Sequence, residues 1–467
     1  MKERETGLRE WLVYGALLGA GITAFLLVRH LGQDLSAPAP AARAASAAAR
    51  HDPQTLLHVL LALIAIIIAS RTLGQVFRWI GQPPVIGEVL AGICLGPSLL
   101  GRVWPQAQVF LLPPDVAPYL GVLAQVGVIL FMFLVGLELD TSLLRRRTHA
   151  TIAVSHASIV VPFVLGAAMS LWLYPRFSTS DVPFTVFALF GGVAVSVTAF
   201  PVLARILTDR GMHRSNLGVV ALTCAAVDDV TAWCLLAFVV GVANAQVDSA
   251  VWTAVLSLAF VAVMLLAVRP LVQRAVRAQE LRGQVSQGAI AVVFVALLAS
   301  TLATEWIGIH AIFGAFVLGA IIPHESRLAR ELTQKLEDVV VVLFLPAFFA
   351  FTGMRTEIGL LDSVQSWLVC GAIVLVASIG KFGGSFLAGR AVGMSARDAA
   401  SVGILMNTRG LMELVVLNVG LDLGVISPTL FAMMVVMALV TTLATTPILH
   451  LLTRRDPALA GAKRPEA

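Results

Sequence analysis

The sequence contains few charged residues, few tyrosines and few cysteines for a chain of 467 residues. Asp, Glu, Lys and Arg make up only 13% of it, about half the share that is usual in soluble domains. This scarcity of charge excludes an intrinsically disordered chain. Four cysteines without a CxxC spacing also exclude a disulfide scaffold or a zinc site, and we expect them to be packing residues in apolar segments.

Sequence motifs of soluble enzymes are absent as well. The chain has no GxxxxGK[ST], GxGxxG, HExxH or GxSxG segment. The Gly-Lys pair at 380–381 lacks the earlier glycine and the following hydroxyl residue of a phosphate-binding loop. We therefore expect a protein that is not an enzyme and that needs no cofactor.

Long apolar runs dominate what is present. Hydrophobic residues make up 58% of the chain, and the mean hydropathy is +0.90. By the ~20-residue length of a membrane span, about fourteen segments qualify. They lie near 11–28, 56–76, 84–101, 117–139, 150–174, 183–207, 216–243, 250–268, 286–304, 307–322, 338–353, 364–391, 397–419 and 428–452. Because backbone groups in lipid must bond within their own helix, we predict an all-α polytopic membrane protein of about 13 core helices and one extra N-terminal helix.

The distribution of basic residues predicts the orientation in the membrane. If the spans alternate, most of the 32 Lys and Arg residues fall on the side that also holds both termini. Loops rich in Lys and Arg stay in the cytoplasm, so we predict that both termini are cytoplasmic. The location that we expect is a bacterial-type plasma (inner) membrane. The net charge of +5 then follows from topology, and no nucleic-acid partner is expected.

The two ends of the chain differ from the apolar body. Residues 1–50 predict an extra transmembrane helix with an Ala/Pro-rich linker, although the A-x-A patterns of the linker leave a cleaved signal peptide open. Residues 454–467 predict a short cytoplasmic tail. A regulatory domain would then have to come from a separate cytoplasmic subunit.

Two pairs of segments resemble each other in the same order along the chain. IGEVLAGICLGP (86–97) is similar to IGIHAIFGAFVLGAIIP (307–323), and FMFLVGLELD (131–140) is similar to FFAFTGMRTE (348–357). The copies start on opposite sides of the membrane, which is typical of the inverted repeats of secondary transporters. Chance similarity among glycine-rich helices is the alternative. Within a transmembrane domain at 51–453 we predict repeat one at 56–243, a connector at 250–268 and repeat two at 286–452.

Five ionisable residues lie deep within predicted spans, and three of them are candidates for one ion cluster. Asp228 and Asp229 are adjacent in AAVDDVTAW, and Lys381 lies in SIGKFGGS. Neighbours on a helix point about 100° apart, so one aspartate can line a cavity while the other meets a neighbouring helix. Charges within a membrane are costly and usually functional. We expect a coupled group that takes up a proton or a cation, with a static buried ion triad as the alternative.

Both halves contain an apolar span that is interrupted by helix-breaking and small polar residues. The interruptions contain Ser196, Thr198 and Pro201 in the first half, and Asn407, Thr408 and Gly410 in the second. Unwound backbone is tolerated in lipid only where it is buried in protein or lines a cavity. One such break in each half predicts a transport site near the middle of the membrane, although the first break alone is also compatible with a simple proline kink.

Arg409 and Glu413 are four residues apart in the second interrupted span. This spacing is compatible with a local ion pair on one helix. It is equally compatible with an arginine that neutralises the negative end of a half-helix at the crossing.

These segments, taken together, resemble the monovalent cation:proton antiporter-2 family, the sodium/hydrogen exchanger-like membrane domain. The resemblance covers about 55–452 and is carried by QPPVIGEVLAGICLGPSLLG, FLVGLELD, SVTAFPVLARIL, AAVDDVTAWCLLA, GAFVLGAIIP, FFAFTGMRTE, GKFGGSFLAGR and MNTRGLMELVVLNVGLDLGVIS. It implies an inverted-repeat fold with two discontinuous crossing helices, and a homodimer. It also implies that Asp229 is the main carrier of cation and proton, that Asp228 pairs with Lys381, and that Thr198 and Asn407 lie at the breaks. A paired Asp-Asp is the pattern linked with electrogenic members.

From the residues and the resemblance we expect a secondary antiporter that exchanges Na⁺ or K⁺ for protons at Asp229 and binds no resident metal. A gated potassium efflux channel controlled by a separate subunit is the alternative, and a non-transporting membrane scaffold is a third class. The sequence does not choose between Na⁺ and K⁺, because selectivity depends on the geometry and hydration of the site.

Overall fold

The computed structural model describes residues 2–33, 35, 55–138, 149–212, 215–244, 247–281 and 285–453. All regular secondary structure within these ranges is helical. Most of the predicted Ala/Pro-rich linker and the whole predicted tail at 454–467 lie outside the described residues.

The first half of the chain forms a series of helices up to the connector. Their bounds are α1 (Lys2–Gly32), α2 (Thr55–Trp79), α3 (Pro84–Leu95), α4 (Leu100–Val103), α5 (Pro105–Leu111), α6 (Ala117–Glu138), α7 (His149–Phe177), α8 (Phe184–Ser196), α9 (Phe200–Asp209) and α10 (Asn216–Asn244). The connector consists of α11 (Val247–Val263) and α12 (Arg269–Leu281), which are joined by one π-helical turn, Met264–Val268.

The helices of the second half follow an order similar to that of the first half from α2 onwards: long, short, long and interrupted. Their bounds are α13 (Gln287–Ile307), α14 (Ala311–Ile321), α15 (Arg327–Val339), α16 (Leu345–Met354), α17 (Val364–Ser378), α18 (Gly384–Ala391), α19 (Ala396–Met406), α20 (Leu411–Asp422) and α21 (Pro428–Thr453). Single π-helical turns join α15 to α16 (Val340–Phe344) and α17 to α18 (Ile379–Gly383).

The lengths of these helices suit a membrane. Within the described ranges, 12 helices are long and apolar enough to span a bilayer, and 13 do so if α19 and α20 are taken as one span bent by 43°. The predicted span near 307–322 is instead the short helix α14, which is apolar but covers only Ala311–Ile321. The predicted all-α, multi-pass architecture with two discontinuous helices is confirmed, and the protein is a multi-pass membrane protein.

Serine residues begin four helices of the second half. The hydroxyls of Ser286, Ser326, Ser363 and Ser395 each accept a hydrogen bond from a backbone amide in the first turn of α13, α15, α17 and α19. The first amides of a helix have no partner within the helix, so a capping serine satisfies one of them and determines where the helix begins.

Glycine contacts hold one group of helices together at close range. A Cβ at Gly92 of α3 would lie 2.5 Å from the Cα of Ala350 in α16, and a Cβ at Gly319 of α14 would collide with the carbonyl of Phe133 in α6. Helices α2, α3, α6, α13, α14 and α16 pack together in this way, and we call them the scaffold group. Close approach through small residues is typical of helix packing in membranes.

The remaining long helices form a second group that surrounds both interrupted spans. Helix α7 packs on α8, α10 and α18, while α21 packs on α17, α19 and α20, and we call α7–α10 with α17–α21 the site group. The extra N-terminal helix α1 packs on α7, where Phe25 lies against Phe163. The site group therefore contains both helix breaks and all three buried residues of the predicted ion cluster.

We predict that Gly319→Val destabilises the protein, because the added side chain has to displace the backbone of α6. Overpacking of a close contact costs about 1–3 kcal/mol. Thermal unfolding in detergent should show a clearly lower midpoint. Gly371→Val is the matched control, because Gly371 is exposed in the middle of α17 with no atom near its missing Cβ. Equal midpoints for the two variants would contradict the importance of this contact.

Candidate functional site

The two interrupted spans cross each other at their breaks. Residues 197–199 are extended between α8 and α9, and 407–410 separate α19 from α20. The amide of Ala199 donates a hydrogen bond of 3.0 Å to the carbonyl of Thr408, and the Thr198 hydroxyl lies 3.1 Å from the carbonyl of Met406. Each break thus provides the other with partners for backbone groups that an intact helix would have paired internally.

Proline and glycine explain where the breaks occur. Pro201 lies in the first turn of α9, where its missing amide costs no helical hydrogen bond. A Cβ at Gly410 would lie 2.6 Å from the Val202 side chain, so a larger residue would push the two breaks apart. Ser196 ends α8, and its hydroxyl donates back to the carbonyl of Val193 in the same helix. It is therefore not part of the ion cluster.

Asp228 is completely buried and fully occupied as a hydrogen-bond acceptor. Its Oδ1 lies 3.0 Å from the Ser155 hydroxyl. Its Oδ2 lies 2.6 Å from Ser158 Oγ, 2.9 Å from Thr198 Oγ1 and 3.0 Å from Lys381 Nζ. An aspartate with this many donors is held in one position by α7, by the first break and by the lysine together.

Asp229 has the opposite environment on the same helix. Its side chain is only 3% exposed, and neither carboxylate oxygen has a hydrogen-bond partner among the described residues. The backbone amide of Phe200, at the start of α9, interacts electrostatically with this carboxylate. A buried carboxylate without partners is costly unless something else binds it. The absence of partners among the described residues distinguishes Asp229 from Asp228.

Lys381 lies in the π-helical turn between α17 and α18 and is completely buried. Its ammonium donates to Asp228 and also to the Thr198 hydroxyl at 2.5 Å. Two glycines bring this turn close to α7: a Cβ at Gly380 would lie 2.8 Å from Pro162, and one at Gly384 would lie 2.7 Å from the carbonyl of Ala157. The structure thus brings the sequence-predicted partners Asp228, Lys381 and Thr198 together.

Arg409 lies in the second break and contacts both interrupted spans. Its guanidinium donates to the carbonyls of Ala194 (3.2 Å) and Val195 (2.7 Å), which are among the last carbonyls of α8. It also forms a buried ion pair of 2.6 Å with Glu413, in the first turn of α20. A cation at the C-terminal end of a half-helix and an acid at the N-terminal end of another both compensate helix dipoles.

Two further polar residues of the second break have vacant atoms. The Nδ2 atom of Asn407 lies 3.4 Å from the Ser378 hydroxyl, while its Oδ1 has no partner within the described part of the chain. The Thr408 hydroxyl is also buried there without a partner. These two oxygen atoms could serve as neutral ligands near the crossing.

Sequence reasoning missed Ser155, Ser158 and Thr442. The two serines are one helical turn apart and flank His156 in a mostly apolar part of α7, which is the signal that could have identified them. The Thr442 hydroxyl of α21 lies 2.9 Å from the amide and 2.8 Å from the carbonyl of Arg409, and so fixes the unwound backbone. A threonine in TTLATT has no comparable signal, because serine and threonine commonly hydrogen-bond within membrane helices.

Among the described residues there is no group of three or more His, Cys, Asp and Glu side chains that could hold a metal ion.

A comparison with known protein families decides to which family this architecture belongs. The family described as "Sodium/hydrogen exchanger, transmembrane" matches residues 59–454. The chain belongs to this family. The family predicted from the sequence motifs is thereby confirmed, and so is the expectation of a transporter family rather than an enzyme family.

Named relatives in this family are antiporters from several kingdoms. The chain is similar to the Na⁺/H⁺ antiporter NhaS4 of Synechocystis, with 44% identity over 399 residues that cover 85% of this chain and 97% of the relative. It is similar to cation/H⁺ antiporter 18 of Arabidopsis thaliana, with 38% identity over 394 residues, 83% of this chain and 48% of the relative. The chain thus spans nearly all of the bacterial relative and about half of the plant one.

A fungal relative and one solved structure complete the comparison. The K⁺/H⁺ antiporter 1 of Saccharomyces cerevisiae is 32% identical over 384 residues, which cover 80% of this chain and 44% of the relative. The sodium proton antiporter MjNhaP1 of Methanocaldococcus jannaschii has a similar fold, with a TM-score of 0.56 over 88% of this chain and 100% of that one. At 14% identity this similarity shows the fold alone.

We predict that Arg409→Leu destabilises the protein by about 3–5 kcal/mol, because it leaves Glu413 as an uncompensated buried charge. The double variant Arg409→Leu/Glu413→Leu should lose less stability than the single variant. Denaturant-induced unfolding in detergent measures both. Lys335→Met is the control, because it removes an exposed ion pair of the same spacing with Glu331, and it should cost at most about 1 kcal/mol. Additive losses in the double variant would show that the buried pair is not coupled.

Proposed function

We propose that this protein is a secondary active monovalent cation/proton antiporter that exchanges Na⁺ or K⁺ for protons at Asp229. The observation that carries the proposal is the contrast between the two adjacent aspartates. Four hydrogen-bonding groups lie within 3.0 Å of the Asp228 carboxylate, whereas neither oxygen of Asp229 has a hydrogen-bond partner in the part of the chain that the structure describes. The names of relatives that exchange Na⁺, K⁺ or other cations for protons support the same activity.

A single vacant carboxylate couples the two ions by competition. A proton and a cation each neutralise Asp229, and each excludes the other because both use the same two oxygen atoms. A buried carboxylate without a compensating charge is costly, so we expect the site not to move across the membrane while Asp229 is ionised and empty. The site moves when Asp229 holds either a proton or a cation. A cation is therefore carried in one direction only when a proton is carried in the other.

The arrangement of the helices supports alternating access. Both breaks and the ion cluster belong to the site group, which we propose rocks against the scaffold group as one rigid body. Polar contacts between the groups include those from Arg355, after α16, to Asn418 and Asp422 of α20, at 3.1 and 2.6 Å. Asn418 also donates a buried hydrogen bond of 2.7 Å to the Thr352 hydroxyl of α16. The partly exposed ion pair of Arg355 and Asp422 is weak enough to break and form again in each cycle.

The inverted repeat, the partners and the location belong to the same proposal. Leaving out α1 and the short helices α4 and α5, and counting interrupted or π-joined helices as one element, six helical elements precede the connector α11–α12 and six follow it in a similar order, which supports repeats at 56–243 and 286–452. They are α2, α3, α6, α7, α8–α9 and α10, and α13, α14, α15–α16, α17–α18, α19–α20 and α21. We further propose a homodimer in a bacterial inner membrane, with both termini in the cytoplasm and a separate regulatory subunit. The basic residues of the loops support this orientation.

Asp229→Asn should abolish cation-driven proton exchange while the protein remains folded, because the amide is neutral and cannot exchange a proton for a cation. The measurement is dequenching of a pH-sensitive dye in proteoliposomes, with Na⁺, K⁺ and Li⁺ added separately. Glu357→Gln, the same change at an exposed acid, should leave exchange intact. Persistent exchange in Asp229→Asn would refute the site, and fast cation flux without proton movement would favour the channel alternative.

Lys381→Ala should alter the pH profile of exchange or the charge moved in each cycle, because it removes the ammonium that lies 3.0 Å from Asp228. Dye dequenching over a range of pH measures the profile, and electrophysiology on a solid-supported membrane measures the charge. Lys335→Ala is the control, since this lysine is exposed on α15. If the profile and the charge both stay unchanged in Lys381→Ala, the lysine is not coupled to the carrier.

A further inference from the structure

The difference between Asp228 and Asp229 originates largely outside the helix that carries them. Both are on α10, both are buried, and both lie close to the crossing. Of the four donors to Asp228, two are the hydroxyls of Ser155 and Ser158 on α7.

We propose that Ser155 and Ser158 are positioning residues, which hold Asp228 against Lys381 and thereby prevent Asp228 from serving as a second carrier. This inference rests on the proposed function of Asp229. Its basis is geometric: the two hydroxyls bind different oxygen atoms of the carboxylate, Oδ1 and Oδ2, and so fix its plane as well as its position.

The helix that carries the serines is itself held firmly in place. On α10, one turn before Asp228, the Cys224 thiol lies 3.5 Å from the carbonyl of Thr151 in α7. On the other side, Gly380 and Gly384 bring the lysine-bearing turn into contact with α7. The hydroxyls are therefore presented from a rigid support, as precise positioning of a charged group requires.

The two serines differ in the alternatives open to them. The Ser158 hydroxyl also lies 2.7 Å from the carbonyl of Ser155, and because a hydroxyl has one proton, it donates either there or to Asp228. Ser155 donates to Asp228. The Thr198 hydroxyl has the same kind of choice, between Asp228 and the carbonyl of Met406. We infer that Ser155 makes the larger contribution of the two serines.

Other ionisable groups surround Asp228 and Lys381, and these residues have to stay unchanged in any variant that tests the serines. Asp229 and Cys224 lie on α10, Lys381 lies on the turn between α17 and α18, and Arg409 with Glu413 lie on the second break and α20. Helix α7 itself contributes His156, between the two serines in sequence. None of these residues is changed in the serine variants.

The test is the pH profile of cation-driven proton exchange in proteoliposomes of the full chain, with Na⁺ and K⁺ as separate probes. Ser155→Ala/Ser158→Ala should move the midpoint of the profile by about one pH unit or more, as expected for the loss of two hydrogen bonds to a charged group. Ser155→Thr, which retains a hydroxyl, should stay close to the wild-type midpoint. If the double variant is not monodisperse, Ser155→Ala alone should show a shift in the same direction.

A matched control is available on the same helix. Ser170 is a completely buried serine of α7 whose hydroxyl donates to the carbonyl of Gly166, away from the cluster. Ser170→Ala should leave the midpoint unchanged. An equal shift in Ser170→Ala would show that the effect is a general loosening of α7 and would overturn the inference.

A double-variant cycle separates positioning from a purely structural role. In a Lys381→Ala background the serine changes should add little to the midpoint shift, because the partner against which they hold Asp228 is gone. Fully additive shifts would overturn the inference. An unshifted midpoint in Ser155→Ala/Ser158→Ala would also overturn it while leaving the proposed function intact, whereas exchange that survives Asp229→Asn would refute the proposed function itself.

Discussion

The structure depends on one constraint: two adjacent carboxylates are buried in a membrane, and the protein provides donors for only one of them. Asp228 lies within hydrogen-bonding distance of three hydroxyls and an ammonium, while neither carboxylate oxygen of Asp229 has a hydrogen-bond partner among the described residues. Burial without partners is costly, so the fold around Asp229 has to be stabilised by other contacts. Those contacts are found in the crossing of the two breaks.

The crossing satisfies polar backbone in a place where water is scarce. Ala199 and Thr198 bind carbonyls of the second interrupted span, and Arg409 binds carbonyls of the first. Thr442 then fixes Arg409 through both its amide and its carbonyl. The breaks are thus mutually dependent, and a single broken span in this position would leave carbonyls and amides without partners. This dependence gives a physical reason for one interruption in each half of the chain.

Much of the fold could be predicted from the sequence, because lipid restricts the choices. Apolar runs of helical length indicated the spans, and Pro201 and Gly410 indicated the breaks, since both residue types act on the local backbone. The short helix α14 was predicted as a full span because hydropathy does not show that Gly308 ends α13, with a positive φ of 90°. In the site, the three buried charges were identified from their rarity at this depth.

What the sequence determined by itself is which ionisable residues lie within the membrane and where the helices break, because cost in lipid and backbone geometry are local properties. Only the tertiary structure decided which aspartate has hydrogen-bond partners for its carboxylate and which has none among the described residues. This difference depends on donors that are distant in the sequence, namely Ser155 and Ser158 from α7 and Lys381 from the turn after α17. Adjacent residues of identical chemistry become different only when other helices are packed against one of them.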